Sequence, residues 1–280
     1  MLETRSEHGC FGGKQGFYSH ASSSTGTTMN FAVYQPPQAG NGPVPALYYL
    51  AGLTCTEETF MIKAGAQRLA AELGLMLVSC DTSPRGLNLP GEDESWDFGS
   101  GAGFYLDATQ PIWSDNYRMG SYISEELPAL IEAHFPAAKD KRGIFGHSMG
   151  GHGALVTALR NPQYWHSLSA FAPISNPMNC PWGQKAFVNY LGHRKDAWKQ
   201  WDACELMRQQ AYPSEILIDQ GLADQFLAQE LLPEALEAAA AEAGQKLNLR
   251  RHPGYDHGYY FIQSFVEDHL RHHARQLLAS

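Results

Sequence analysis

The chain has 280 residues, of which 44% are hydrophobic and 18% charged, with a net charge of −9. That much apolar material can fill a large core, while an acidic chain without a basic run is a poor match for a nucleic-acid partner. No stretch approaches the roughly 18 apolar residues of a membrane span, and the charged opening MLETRSEHGC lacks the apolar heart of a secretion signal. Five cysteines (Cys10, Cys55, Cys80, Cys180 and Cys204) are widely spaced with no C-x-x-C pair, so neither a disulfide framework nor a zinc knuckle is expected. A reduced, soluble, cytoplasmic protein is the expectation.

Along the chain, MNFAVYQPP and PALYYLAG read as strands closed by Pro or Gly. LMLVSCD, RGIFGHS, LSAFAP and EILIDQG follow as apolar runs between turn residues, the pattern of buried parallel strands. LNLRRHPG is more polar and suits an edge. Helical patterns at 61–74, 121–134, 150–160, 226–243 and 259–278 alternate with these strands. The alternation predicts an α/β fold, a mostly parallel central sheet with helices on both faces, formed by residues 1–280 as one domain. The Gly-, Ser- and Thr-rich first 40 residues suit one or two antiparallel strands at an edge. Residues 82–120 form a long loop dense in aromatics, and loops of that length are usually functional or disordered; the aromatics argue for order. Residues 176–213 suggest a small helical insertion.

RGIFGHSMGGHGAL contains G-x-S-x-G between an apolar strand and a helical run. In that setting the serine, Ser148, sits on a strained strand-to-helix turn, and the flanking glycines keep side chains out of its way. A serine nucleophile needs a base and the base an orienter, which in α/β-hydrolases follow in the order acid, then histidine. Asp219 and Asp224 are the acids after a late strand. Asp219 still lies in the apolar run, so Asp224 on the following loop is the better orienter, with capping of the next helix as its plain structural role. RHPGYDHGYYF offers His252, still in the strand, and His257 in a turn, so His257 is the expected base; Asp256 is its neighbour and diverges from it. His147 and His152 flank the serine and are expected to pack or line the pocket. His269, His272 and His273 are expected on a solvated face of the last helix, and no metal or cofactor is assigned. The oxyanion donors expected are the backbone N–H of Met149 and, after Gly52 in LAGLTCTEETF, that of Leu53.

GLTCTEETF, DTSPRGLNLPGEDESWDFGSGAGFYLDAT, NYRMGSY, FGHSMGGHGAL, SAFAPISNPMNCPWGQKAF, DQGLADQFL and GYDHGYYFI together resemble the S-formylglutathione hydrolase (esterase D) family of α/β-hydrolases, in order from about residue 29 to the C-terminus. The resemblance implies hydrolysis of the thioester S-formylglutathione to formate and glutathione, the last step of glutathione-dependent formaldehyde removal. It implies a Ser148, Asp224, His257 triad, oxyanion donors at Leu53 and Met149, and a homodimer, since members are commonly dimers. Cys55 matches a family cysteine near the active site, and Trp182 a residue bordering the acyl pocket; a buried small hydrophobe and a core tryptophan are the plain alternatives. Ala51 and Gly258 depart from the residues many members carry there. Lys63, Arg85 and Lys185 are the candidates for the glutathione carboxylates. A broad-specificity short-chain carboxylesterase with the same triad is the first alternative, and a non-catalytic binding module on the same fold is the second.

Overall fold

The computed structural model describes residues 2–278. Nine strands form one sheet: β1 Leu2–Cys10, β2 Gly13–Ala21, β3 Thr28–Gln35, β4 Val44–Leu50, β5 Met76–Cys80, β6 Ala137–His147, β7 Ser167–Phe171, β8 Ile216–Gly221 and β9 Leu247–His252. Their spatial order is β1-β2-β3-β5-β4-β6-β7-β8-β9. The first three strands and the β3–β5 junction are antiparallel, and from β5 to β9 every pairing is parallel. The central strands β4, β5, β7 and β8 are buried along their whole length, which is why they read as unbroken apolar runs. The N-terminal region supplies a hairpin, β1–β2, beyond the strand β3 that the sequence marks.

The helices are α1 Glu57–Lys63, α2 Gln67–Leu73, the single turn α3 Met119–Ser121, α4 Leu127–His134, α5 Met149–Arg160, α6 Pro181–Leu191, α7 Lys195–Trp198, α8 Ala203–Gln209, α9 Pro233–Ala243 and α10 Tyr259–Leu278. Alternate strand residues divide between the two faces. Tyr49 stacks on Phe60 of α1 with ring centroids 3.8 Å apart, whereas its neighbour Tyr48 meets Trp165 edge-on. No helix among the described residues is long and apolar enough to cross a membrane.

The single helix expected over 61–74 is two helices, broken at Gly65, whose φ of +68° is the left-handed conformation glycine tolerates. Likewise 226–243 divides. A π-helical turn over Leu227–Leu231 ends at Leu232, φ 48°, and Pro233 then starts α9. The 82–120 loop is ordered by an aromatic cluster in which Phe98 and Tyr117 each stack on Tyr190 of α6 and Trp113 meets them edge-on. It thereby fastens the insertion 176–213, which folds as α6–α8.

One expectation is corrected outright. His269, His272 and His273 are buried, not solvated. They continue the apolar stripe of α10 that runs through Phe261, Ile262, Val266 and Leu270, at the three- and four-residue spacing of a helix face. Asp219 accepts from His269 Nε2 (3.0 Å), which fixes the direction of the bonds beyond it. Ser169 donates to His269 Nδ1, His273 Nε2 donates to Ser169, and Ser167 donates to His273 Nδ1. Each buried side-chain nitrogen or oxygen of this hydrogen-bonded relay has a partner, which offsets the penalty of removing it from water.

Candidate active site

β6 ends at His147 and α5 begins at Met149, leaving Ser148 as the sole residue of the turn, at φ 58° and ψ −118°. A non-glycine residue in that region stores of order 1–3 kcal/mol of strain and is held by its surroundings. The Ser148 N–H donates to Phe171 O on β7, and Ser148 O accepts from His152 and Ile174. The glycines on either side have no room for a side chain. A Cβ on Gly150 would lie 1.9 Å from Leu50 O, and one on Gly146 would lie 2.2 Å from Gly150 O.

Asp224 follows β8 on the loop that the strand's end exposes to the serine's side of the sheet. Its carboxylate accepts from His257 Nδ1 at 2.5 Å, from Phe226 N at 2.8 Å and from Gln220 Nε2 at 3.3 Å. The side chain thus orients the imidazole and closes the turn at Phe226, but it does not cap the next helix, since the π-helical turn that follows starts from Phe226 with no side-chain cap. The competing pair is spoken for: Asp219 accepts from His252 Nε2 at 3.0 Å and takes two bonds from Arg250. Burial alone would raise the Asp219 carboxyl, but the bonds from His269 and Arg250 prevail and hold it below the usual carboxylate range. Asp256 turns away from the His257 ring and accepts from Gly258 N.

Ser148 and His257 line one cavity of about 140 Å³. Leu53, Cys55 and Trp182 line it too, so the structure brings five of the seven residues singled out for the site into one cavity, with Asp224 directly behind His257. Met149, the seventh, is the buried first residue of α5. The Leu53 loop is pressed against the serine, since a Cβ on Gly52 would come within 3.3 Å of Ser148 Cβ. Two bonds from the long 82–120 segment brace that loop: Tyr105 O–H donates to Ala51 O, and Thr54 N–H donates to Gly101 O. Burial raises the Cys55 thiol pKa, so it rests as the neutral thiol.

The sequence reading missed part of the wall. Trp96 meets Trp182 edge-on, Trp182 packs on Phe226, and Phe226 meets His257, a continuous aromatic path from solvent to the imidazole. Tyr259, the first residue of α10, closes another side and lies 3.3 Å, oxygen to oxygen, from Tyr49. His147, a residue expected to pack or line the pocket, does line the cavity, 4.4 Å ring to ring from His257. Burial, then the neighbouring His257, drive its pKa well below that of a free imidazole, so it is neutral. His152 instead pairs with Phe104 O, away from the cavity lining.

Of the three cations considered for the substrate, two are committed elsewhere. Arg85 makes a two-pronged ion pair with Asp81, and Lys185 pairs with Asp97. Lys63 has no ion pair among the described residues and lies 5.7 Å from the Tyr259 ring centroid.

A mostly parallel sheet flanked by helices, with a serine on a tight strand-to-helix turn, defines an α/β-hydrolase. Residues 22–272 match the esterase family, described as "Putative esterase". Over 280 residues the chain is 52% identical to the S-formylglutathione hydrolase of Rattus norvegicus, with 99% of each chain covered. It is 53% identical over 275 residues to that of Paracoccus denitrificans, covering 98% of each. The solved structure of an S-formylglutathione hydrolase from Agrobacterium tumefaciens matches with a TM-score of 0.96 at 50% identity, covering 98% of this chain and 99% of that one. The chain belongs to the S-formylglutathione hydrolase family of esterases.

Proposed function

We propose that the protein hydrolyses S-formylglutathione to formate and glutathione through a formyl-serine intermediate, with Ser148 as nucleophile, His257 as general base and Asp224 as its orienter. The observation that carries this reading is the 2.5 Å bond from His257 Nδ1 to Asp224, which leaves Nε2 for the cavity that Ser148 lines. The full-length similarity to enzymes bearing that name supports the substrate.

In the first half-reaction His257 Nε2 takes the Ser148 hydroxyl proton as Oγ attacks the formyl carbon. The backbone N–H groups of Leu53 and Met149 hold the oxyanion. Collapse breaks the C–S bond, and glutathione leaves as a thiol with the proton from His257. Water then adds to the formyl-serine with His257 again as base, releasing formate and restoring Ser148. No step calls on a metal or cofactor. A cavity of about 140 Å³, walled by Trp182 and Phe226, suits an acyl group as small as formyl. Its apolar lining equally suits short acyl esters, which keeps a broad short-chain carboxylesterase as the second reading.

The test is kcat/KM for S-formylglutathione beside p-nitrophenyl acetate, with Ser148→Ala as control. Strong preference for the thioester, abolished in the variant, supports the proposal. Comparable or better turnover of the aryl ester reduces the protein to a general esterase.

A further inference from the structure

Beside the cavity lies a second, larger groove of about 550 Å³, lined by Lys63, Asp256, Gly258, Tyr259, Tyr260 and Gln263. Tyr259 belongs to both and forms the partition between them. Among the described residues that line the groove, Lys63 and Asp256 alone are charged, and neither has an ion pair, with the other or with any third residue. The carboxylate of Asp256 is held from one side by the Gly258 N–H at 2.8 Å, which fixes its orientation without neutralising it. Lys63 sits at the C-terminal end of α1, against the Tyr259 ring. Its field extends to Cys55 inside the cavity.

Most charged side chains near the cavity are matched, as Arg85 with Asp81 and Lys185 with Asp97 show. A cation and an anion that share a groove yet stay apart form a template for a ligand that carries both charges on one end. We propose that this groove binds the γ-glutamyl end of glutathione, with Lys63 on its α-carboxylate and Asp256 on its α-ammonium. The inference rests on the reading of the substrate given above.

The geometry fits the leaving group. From the thioester sulfur, the γ-glutamyl α-carbon is reached over roughly 8 Å of extended chain. Lys63 Nζ lies 5.7 Å from the centroid of the Tyr259 ring, and the His147 ring lies 6.1 Å from the same centroid on the cavity side. One aromatic ring therefore separates the serine's surroundings from the charged pair. The requirement for local recognition follows from the whole-protein charge. At −9 the chain repels an anionic substrate at long range, and this repulsion is screened beyond about 8 Å at physiological salt. A nearby unpaired lysine then decides the sign of the field the substrate meets. The pairing of Asp256 with the ammonium adds discrimination against ligands that carry carboxylates alone.

The experiment compares kcat/KM for S-formylglutathione with that for S-formyl-N-acetylcysteamine, the same thioester without the charged ends. The readout is the ratio of the two in wild type, Lys63→Glu, Lys63→Arg and Asp256→Lys. The expected result is a wild-type ratio well above one, lowered about tenfold by Lys63→Glu and by Asp256→Lys and retained by Lys63→Arg. Both positions are exposed, so folding is not at stake. A wild-type preference that neither charge reversal changes overturns the groove assignment and leaves the proposed activity standing. A wild type that fails to hydrolyse S-formylglutathione overturns both.

Discussion

Asp219 Oδ1 and His252 Nε2 lie 3.0 Å apart, and this carboxylate–imidazole pair precedes the Asp224–His257 pair by five residues in both segments of the chain. The repetition follows from parallel pairing of β8 with β9, in which Asp219 stands opposite Arg250 and Gly221 opposite His252. The two pairs differ in the nitrogen used. His252 spends Nε2 on Asp219, while His257 spends Nδ1 on Asp224 and keeps Nε2 for the cavity. The fully buried Asp219 also serves Arg250 and His269, whereas Asp224 closes the turn at Phe226.

Substitution of the two aspartates is therefore expected to separate activity from stability. Asp224→Asn should lower kcat/KM by about 10³–10⁴-fold with a small change in melting temperature, because the imidazole loses the acceptor that sets its tautomer. Asp219→Asn should leave Arg250 without its buried counter-charge and His269 with a weaker acceptor, and destabilise by about 3–5 kcal/mol, with the surviving folded fraction retaining activity. Urea denaturation beside initial rates checks both. A larger activity loss in Asp219→Asn than in Asp224→Asn would reverse the assignment.

The glycines of the elbow make a graded series. A Cβ on Gly150 meets backbone at 1.9 Å, and backbone cannot move aside cheaply, so Gly150→Ala should fail to accumulate as folded protein. Gly52→Ala meets Ser148 Cβ at 3.3 Å and His147 Nδ1 at 3.4 Å, which a few tenths of an ångström can relieve. That variant should fold, with a melting temperature within a few degrees of wild type, yet lose about tenfold or more in kcat/KM as the Leu53 loop is displaced. Equal stability of the two variants would refute the close-approach account of the elbow.

What could be read from the sequence followed the range of the interactions. The elbow is local: strand, glycine, serine, glycine and helix lie within a dozen residues, and loop position pointed to Asp224 and His257, which the fold pairs with each other. The aromatic wall is not local. Trp96 reaches the cavity because the 82–120 segment packs on α6, a contact between residues about 90 positions apart, and Phe226 joins it by packing on Trp182 of the same helix. The break at Leu232 was hidden for a different reason, since its neighbours are good helix formers and only the following proline signals the end. His269 and His273 were misplaced because polarity was weighed over period; they sit where the 3.6-residue repeat of α10 requires core.

Six buried histidines make the stability depend on mild acid. Burial lowers His20, His147, His269 and His273 below the free imidazole value, and takes His152 and His272 to about 4. The unfolded chain binds these protons near pH 6.5 and the native state does not, so stability is full above pH 6.5 and is lost as pH falls toward 4. Each histidine contributes up to about 1.4 kcal/mol per pH unit in that window. Glu57, Glu230 and Asp202, raised by burial, act in the opposite sense and offset part of the loss. The melting temperature should be flat from pH 7 to 8 and drop steeply between pH 6 and 4.5. A profile flat to pH 5 would show that these histidines take up protons while folded.

The chemistry of the leaving group sets the last expectation. A thiol with a pKa near 8.5 is a good leaving group that depends less on the proton from the base, whereas an alcohol would leave as a far more basic alkoxide and needs that proton. Removing His257 should therefore harm the two acylations unequally. His257→Ala is expected to lose less on S-formylglutathione than on ethyl formate, which carries the same acyl group, and raised pH should widen the gap by supplying serine alkoxide. The comparison belongs on kcat/KM, because hydrolysis of the formyl-serine is common to both substrates and needs the base in each. Equal losses on thioester and ester would mean that proton donation to the leaving group is not what distinguishes them, and that attack by Ser148 limits both.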